Sequence, residues 1–256
     1  MAFLDPLHPE QRNDVIACCH HASPDECLDY QEYGNIVLKL GPDKVVKFGP
    51  MVSRDEAENQ ASVAGMVNQE TVRVPKVYDW FEDAKGWGYL VMEFMDGEKA
   101  KCLTEDIHAP QLLKVLEHLH SLKAGTIGPL HRGPHQAILF GEGPSPKLSS
   151  VQDVEAWFTR RLCDDSVRVD ISDFDLVLCH LDFTCRNILW KEGRPPCLLD
   201  WAWAGFYPRF FEKCSHDVVG RAEDGNVIND MNLSNAEDVQ YQLIMKAFAN
   251  DMRFCL

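Results

Sequence analysis

Positive charge is scarce in this sequence. Among its 256 residues, 25 are Lys or Arg and 40 are Asp or Glu, so the formal net charge is −15. Nucleic acids and anionic membranes are bound through basic surfaces, and this balance argues against both as partners. It favours a small-molecule partner that is amine-bearing or neutral.

Long apolar runs and an export signal are also lacking. No segment approaches the roughly 18 apolar residues that a membrane span requires. The opening residues, MAFLDPLHPEQRND, have neither the basic start nor the apolar core of a signal peptide. We therefore expect a cytoplasmic globular protein. Its 45% hydrophobic composition suffices for one substantial core, or for two lobes that share a cleft.

The ten cysteines do not suggest a disulfide framework. They are scattered along a long chain without an export signal, so we expect reduced thiols. An N-terminal group of cysteines and histidines has the wrong spacing for zinc, because four consecutive residues cannot easily converge on a tetrahedral ion. A helix over Pro9 to His21 is the simpler interpretation. The group comprises Cys18, Cys19, His20, His21 and Cys27.

The segment CHLDFTCRNILWKEGRPPCLLDW carries the strongest chemical signal. Asp182 lies two residues after His180 and five before Asn187, which is the H-x-D-x-x-x-x-N spacing of a kinase catalytic loop. At this spacing the aspartate can take the proton of an attacking hydroxyl, while the asparagine turns its amide oxygen to Mg²⁺. Asp200 ends a short apolar strand and is a second candidate ligand for the metal.

An ordinary turn is the alternative to this interpretation. An H-x-D tripeptide alone is common, and Asp and Asn are frequent in turns. The apolar run before His180 and the strand that leads to Asp200 favour the catalytic interpretation, because they supply the expected context on both sides.

The same segment resembles a known family. HLDFTCRNIL followed by LLDWAWAGFYPRFFE is similar to the catalytic motif and the I-D-W-E-x-A-G-x-x-P segment of the aminoglycoside phosphotransferase and choline kinase family, most of all its fungal phosphotransferase-like branch. The resemblance covers about residues 31 to 212. It implies an α+β, bilobal protein-kinase-like fold, with a small antiparallel-sheet N-lobe that has one helix and a mostly helical C-lobe. The cofactors that it implies are ATP and Mg²⁺.

This resemblance suggests three regions. Residues 1–30 would form an N-terminal helical extension, 31–97 a nucleotide-binding N-lobe, and 98–256 a C-lobe for catalysis and substrate binding. Two departures from protein kinases stand out. Leu181 replaces the Arg that precedes the catalytic Asp, and Trp201 follows Asp200 in place of Phe-Gly.

A strand hairpin is predicted at the start of the N-lobe, over Ile36 to Leu40 and Lys44 to Phe48. Gly34 and Asn35 occupy the position of the nucleotide-covering loop, although a G-x-G-x-x-G pattern is lacking. The resemblance gives Lys47 the role of pairing with the α and β phosphates. A solvated strand lysine is the alternative.

A helix is predicted over Ser53 to Val67, since Ser53 and Glu56 have capping-box spacing and an apolar side follows. The resemblance suggests that Glu56 orients Lys47. Glu58 is a rival for that role, and Glu56 can instead be occupied by capping.

Two further strands, Val77 to Phe81 and Trp87 to Phe94, lead to a segment that resembles the hinge between the lobes. By this resemblance Met92 is the gatekeeper, the carbonyl of Glu93 meets the adenine amino group, and the amide of Met95 meets a ring nitrogen. An ordinary core strand that ends in a turn is the alternative.

The C-lobe is predicted to be mostly helical. Helices are expected over Pro110 to Leu122, Val151 to Leu162 and Ser234 to Phe254, with a long loop over Gly125 to Lys147. Acidic residues near the end of the chain form either a solvated face or a cation-binding rim. They are Glu223, Asp224, Asp230, Glu237 and Asp238.

Together these patterns predict a small-molecule kinase. Asp182 is the base, His180 supports the catalytic loop, and Asn187 and Asp200 hold Mg²⁺. A catalytically inactive kinase-fold protein that binds a nucleotide or a protein is the alternative, favoured by the degenerate glycine loop. The enzyme is favoured because four groups with separate tasks in phosphoryl transfer are present: Asp182, Asn187, Asp200 and Lys47.

Overall fold

The computed structural model describes residues 3, 6–32, 34–99, 108–131, 133–141, 144–219, 228 and 231–254. Within these ranges the chain forms two lobes. The elements of the small lobe are α1 (Pro9–His21), β1 (Cys27–Asp29), β2 (Ile36–Lys39), β3 (Lys44–Gly49), α2 (Arg54–Met66), β4 (Val77–Glu82) and β5 (Gly88–Glu93). Those of the large lobe are β6 (Glu98–Lys99), α3 (Ala109–Ser121), β7 (Lys123–Ala124), β8 (Gly128–Pro129), α4 (Val151–Arg161), β9 (Leu176–Cys179), β10 (Ile188–Trp190), β11 (Cys197–Leu198), β12 (Gly205–Tyr207), α5 (Phe210–Val219) and α6 (Asn235–Phe254).

The small lobe is built on a five-stranded sheet with the order β1-β2-β3-β5-β4. Its strands are antiparallel, and the predicted hairpin joins β2 to β3. In the central strand β3, Lys47 lies opposite Val37 on one side and Leu90 on the other. This register fixes the position of the lysine backbone at the middle of the sheet.

The first 30 residues are more closely integrated with the small lobe than the sequence suggested. The helix α1 has the predicted bounds, and its Val15 and Cys19 join the core that covers the sheet. Arg12 forms a bidentate ion pair with the buried Asp79 of β4, with bonds of 2.8 and 2.9 Å. The strand β1 was not foreseen, and it pairs with β2 at the sheet edge. The small lobe therefore contains α1 as well as the one expected helix.

The large lobe follows the predicted helices with one addition. The helices α3, α4 and α6 lie within a residue or two of their expected bounds. The expected loop over residues 125–147 contains, in its described part, the two-residue strand β8 and a short 3-10 helix at Ile138–Phe140. The helix α5 was not foreseen. It begins directly after the turn at Pro208, and its Phe210 and Phe211 are fully buried beside Tyr207. Burial of such aromatic side chains stabilises the fold by about 2–3 kcal/mol each.

One apolar core crosses the boundary between the lobes. Val63 at the inner face of α2 and Val72 and Val74 after that helix are buried in the same cluster as α3 and the catalytic segment. The backbone there is also shared, since the amide of Leu198 in β11 donates to the carbonyl of Arg73 at 2.9 Å. The lobes are thus joined by more than a single covalent linker.

The described helices include none with the length and apolarity to cross a membrane. The described cysteines are free thiols: Cys18, Cys19, Cys27, Cys163, Cys179, Cys185, Cys197 and Cys214. Three of the acidic residues near the C-terminus, Glu223, Asp224 and Asp230, lie outside the described ranges.

Candidate active site

The helix α5 supports the candidate catalytic loop, residues 180–187, through hydrogen bonds. The backbone amides of His180 and Leu181 donate to the two carboxylate oxygens of Glu212, at 2.6 and 2.9 Å, and the hydroxyl of Ser215 donates to the carbonyl of Leu181. Leu181 has a φ of 64°, in the left-handed region that is unfavourable for a leucine by roughly 1–2 kcal/mol. These bonds stabilise the turn and direct the following residue, Asp182, into the cleft.

Glu212 is a residue of the candidate site that the sequence analysis missed. It is completely buried. Burial raises its pKa to about 7, the two backbone amides oppose that rise, and the charge of Asp182 adds to it. No local pattern marks this residue, because its partners lie about 30 positions earlier in the chain.

Asp182 and Asn187 are in direct contact. The amide nitrogen of Asn187 donates to the carbonyl of Asp182 at 2.9 Å and to its Oδ2 at 2.8 Å, while the guanidinium of Arg186 pairs with Oδ1. The side chain of Asp182 retains 13% of its exposure. Because the amide nitrogen of Asn187 is engaged with the aspartate, its amide oxygen is the atom left to ligate a cation.

His180 lies behind the site and is fully buried. Its Nδ1 accepts the backbone amide of Asp182 at 3.2 Å, so the proton resides on Nε2, which donates to the carbonyl of Leu199 at 2.9 Å. Burial lowers the pKa of this imidazole, which therefore stays neutral. His180 connects the catalytic loop to the segment that carries Asp200 and supports the loop without lining the cavity.

Lys47 is held between two carboxylates. Its Nζ lies 2.6 Å from Glu56 Oε1 and 3.1 Å from Asp200 Oδ2, and its side chain is only 12% exposed. Burial alone would lower the pKa of Lys47, but the two carboxylates outweigh it and hold the pKa above its usual value. Burial alone would raise the pKa of Asp200, but the positive charge of Lys47 outweighs burial and holds this pKa below its usual value. Lys47 and Asp200 therefore carry opposite charges at neutral pH.

The geometry distinguishes between the two candidate partners of Lys47. Ser53 caps α2 by accepting the backbone amide of Glu56 at 3.1 Å, which leaves the side chain of Glu56 for the lysine. Glu58 instead pairs with Arg54 at 2.8 Å and with His131 at 3.3 Å. Of the two glutamates, Glu56 is the one in contact with Lys47.

The two predicted metal ligands fit Mg²⁺ by their chemistry. Asn187 offers an amide oxygen and Asp200 a carboxylate, and oxygen donors are what this hard cation prefers. The segments that carry them are adjacent, since the amide of Leu199 donates to the backbone carbonyl of Asn187 at 2.8 Å. Asp200 has a φ of 62°, so a left-handed turn follows the strand and exposes its carboxylate.

A cavity of about 490 Å³ brings much of the predicted site together. Asn35 lines it, and the amide oxygen of this residue is buried and accepts no hydrogen bond from the described residues. Gly34 lies beside the cavity in a turn, where an added Cβ would stand 2.5 Å from the side-chain oxygen of Gln31. The lining residues are Asn35, Lys47, Met51, Ser53, Glu56, Gln136, Asp182, Asp200, Ala202 and Trp203. Five of these were not foreseen: Met51, Ser53, Gln136, Ala202 and Trp203.

The predicted hinge residues are not part of this lining. Met92 is buried, and its sulfur accepts the amide of Gln60 at 3.3 Å. Glu93 ends β5 and donates its amide to Lys76 at 2.8 Å. Met95 follows the strand, and its amide donates to no described residue. Their adenine contacts therefore stay predictions.

A match to a sequence model identifies the family of this chain. The sequence model described as the phosphotransferase enzyme family, APH, matches residues 34–225, more than half of the chain. The chain belongs to this family. The resemblance seen in the catalytic segment is thereby confirmed for the aminoglycoside phosphotransferase family. A search of curated protein sequences gave no match.

Solved structures confirm the protein-kinase-like fold of this phosphotransferase family member. A variant of aminoglycoside phosphotransferase APH(4)-Ia in ternary complex with AMP-PNP and hygromycin B is similar at a TM-score of 0.58 and 15% identity, over 95% of this chain and 90% of that one. The GDP complex of aminoglycoside 2'-phosphotransferase-IIIa gives 0.56 and 14%, over 95% and 89%. An inferred fructosamine-3-kinase from Haemophilus somnus 129PT gives 0.58 and 11%, over 88% and 82%. Identities this low establish a common fold only.

Proposed function

We propose that this phosphotransferase transfers the γ-phosphoryl group of ATP to a hydroxyl group of a small molecule with the help of Mg²⁺. The observation that carries the proposal is the convergence of Lys47, Asp182 and Asp200 on one cavity, with Asn187 turned by Asp182 so that its oxygen is available. Each of these groups has a separate task in phosphoryl transfer. AMP-PNP in the complex of one structural relative supports the choice of ATP, whereas another relative is a GDP complex.

In this proposal the ammonium of Lys47 binds the α and β phosphates and is held in place by Glu56. Asn187 and Asp200 hold Mg²⁺, which when bound supplies positive charge against the phosphate oxygens. Asp182 accepts the proton of the acceptor hydroxyl on a carboxylate oxygen. Both of its oxygens already receive one hydrogen bond, and each keeps a further lone pair for that proton.

The nucleotide is proposed to extend from the cavity to the hinge. Gly34 and Asn35 cover the phosphates in this proposal, and Asn35 lines the cavity. Met92, Glu93 and Met95 border the adenine. The amide of Met95, which donates to none of the residues that the structure describes, is consistent with a hydrogen bond to a ring nitrogen.

We propose a neutral or amine-bearing acceptor. The described lining of the cavity holds three carboxylates, those of Glu56, Asp182 and Asp200. Against them stand the ammonium of Lys47 and the guanidinium of Arg186, which pairs with Asp182 from outside the lining, so negative charge is in excess by one. With a formal net charge of −15 on the protein, an anionic acceptor would be repelled. Acceptors of the structural relatives are amine-bearing sugars or antibiotics by name, which agrees with this class.

The test is incubation of the purified protein with Mg-ATP and a panel of amino sugars, amino alcohols and neutral hydroxylated metabolites, followed by mass spectrometry. The expected product is one acceptor that gains a single phosphoryl group, with Asp182→Asn as the inactive control. If Mg-ATP binds but no acceptor is modified and no ADP appears, the protein is a nucleotide-binding module without catalysis, and the proposal is wrong.

A further inference from the structure

The inner face of α2 carries three buried polar side chains beside the apolar Ala57 and Val63, which is unusual for a buried helix surface. Glu56, Asn59 and Gln60 retain between 1 and 2% of their exposure. Their spacing of three and four residues places them on the same side of the helix. Burial of polar groups is unfavourable unless they find partners, so their contacts carry information about what this face does.

Each of the three side chains contacts a different part of the candidate site. Glu56 pairs with Lys47, as described above. Gln60 donates to the sulfur of Met92 at 3.3 Å and to the carbonyl of Pro75 at 3.0 Å, on the hinge side. Asn59 reaches across to the large lobe, to residues more than 140 positions later in the chain.

Asn59 holds the backbone that follows Asp200. Its amide nitrogen donates to the carbonyl of Trp201 at 3.0 Å and to that of Ala202 at 3.3 Å. The Trp201 carbonyl also closes a turn with the amide of Ala204 at 3.2 Å. Because Asp200 lies in the left-handed region, the path of the next two residues determines where its carboxylate points.

The orientation of the Asn59 amide is dictated by these carbonyls. A flipped amide would place its oxygen against two carbonyl oxygens, so the nitrogen must face them. Its own oxygen then lies buried and without a partner among the described residues. An unpaired buried acceptor is unfavourable. The two bonds that the Asn59 nitrogen makes offset this cost.

We propose that Asn59 is a positioning residue that fixes the turn after Asp200 and thereby sets the metal-binding carboxylate. Glu56 and Asn59 are one helical turn apart, so α2 positions Lys47 and Asp200 together. The catalytic meaning of this inference rests on the proposed phosphotransferase function. Its structural part, control of residues 199–204 by a side chain of the other lobe, does not.

The first arm of the test is hydrogen exchange on the full chain without ligand. Asn59→Leu keeps the branched shape of the side chain and removes the donor, and Asn59→Ala is the second variant in case the larger leucine disturbs folding. Gln69→Ala is the matched control, since Gln69 also bonds to backbone groups, at Ala64 and Val74, but lies outside the site. The expected result is exchange at residues 199–204 that is about tenfold faster in both Asn59 variants, with α3 unchanged and the control equal to the wild type.

The second arm is titration of Mn²⁺ in the presence of AMP-PNP, followed by the electron paramagnetic resonance of the free ion. We expect about tenfold weaker Mn²⁺ binding in both Asn59 variants, and metal-free AMP-PNP binding within twofold of the wild type. Faster exchange without weaker Mn²⁺ binding would make Asn59 purely structural and overturn the inference, as would weaker binding with unchanged exchange. A wild type that fails to bind Mn²⁺ and nucleotide would refute the proposed function, and the exchange arm would still decide whether Asn59 controls the turn.

Discussion

Glu212 accepts a 2.6 Å hydrogen bond from the backbone amide of His180 while it is completely buried in the large lobe. The carboxylate thus forms part of the platform of the catalytic loop and is not exposed to the cleft. Burial raises its pKa to about 7, so its ionisation takes place in the pH range where the protein would work.

The pKa of Glu212 predicts a pH dependence of stability. Its folded pKa of about 7 lies above the ordinary 4.5, so the stabilisation from its protonated form is complete below pH 4.5 and is lost as the pH rises through 7. The loss is about 3 kcal/mol by pH 8. Denaturant unfolding of the wild type and Glu212→Gln at pH 5 to 8 measures it, since the variant lacks this ionisation. Parallel stability profiles for the two proteins would contradict the prediction.

Mg-ATP is expected to stabilise the folded protein. Lys47 and Asp200 lie on different segments that the ligand would join, and a ligand at 100 times its Kd stabilises by about 2.7 kcal/mol. Thermal melting with and without Mg-ATP gives the shift. The double variant Lys47→Met with Glu56→Gln is the control, because it removes the lysine together with the buried Glu56, while the other neighbour of the lysine, Asp200, is 37% exposed and can be hydrated. Equal shifts of the melting temperature in the control and the wild type would show that the nucleotide binds outside this site.

Asp182→Asn should greatly slow phosphoryl transfer and leave ATP binding intact. The amide has nearly the same volume but cannot accept the hydroxyl proton, and loss of a general base lowers kcat by about 10²–10⁴-fold. Steady-state kinetics on the identified acceptor should show this fall in kcat with KM for ATP little changed. Wild-type turnover in the purified variant would eliminate Asp182 as the base.

Asp200→Asn should act through the metal instead. Replacement of a carboxylate by a neutral amide weakens Mg²⁺ binding, so the Mg²⁺ concentration for half-maximal rate should rise about tenfold or more, a loss of at least about 1.4 kcal/mol of binding. The measurement is the rate as a function of Mg²⁺ at saturating ATP. The prediction fails if the Mg²⁺ dependence matches that of the wild type.

Activity should not require phosphorylation of the protein. Protein kinases order a long activation segment by pairing its phosphate with basic residues, including the Arg before the catalytic Asp. Here Leu181 occupies that position and is fully buried, and β12 begins five residues after Asp200. Bacterially expressed, phosphatase-treated protein should keep full activity on its small substrate. Loss of activity after this treatment, or efficient labelling of peptides, would overturn the assignment.

Much of the fold was accessible from the sequence because its signals are local. The helices α2, α3, α4 and α6 follow apolar periodicity or capping residues, and the small-lobe hairpin follows β-branched runs around a turn. The helix α1 was predicted only as the simpler alternative to a zinc site. The catalytic motif also has local spacing, so Asp182 and Asn187 were found together and do lie in contact. The sequence could not distinguish Lys47 from a solvated strand lysine. The structure does so, because it shows the side chain buried between two carboxylates.

What the sequence did not reveal depends on contacts between distant segments. The helix α5 is rich in aromatic residues, whose helix propensity is modest, and it is stabilised by packing on Tyr207 and Phe158. The strand β1 is only three residues long and exists through its pairing with β2. Glu212 and Asn59 bond to backbone groups far away in the chain, and such bonds leave no local pattern. The polar residues on the buried side of α2 could have indicated Asn59, because an amphipathic helix normally buries apolar residues.

The valine cluster that crosses the lobes has a consequence for dissection of the protein. A cut near residue 97, at the boundary that the linker suggests, would leave Val63, Val72 and Val74 exposed on one fragment and an open groove beside α3 on the other. Neither fragment would be self-sufficient, and each would expose apolar surface prone to association. The two lobes should therefore melt in one cooperative transition, and complementation of separately expressed halves would require that they fold together.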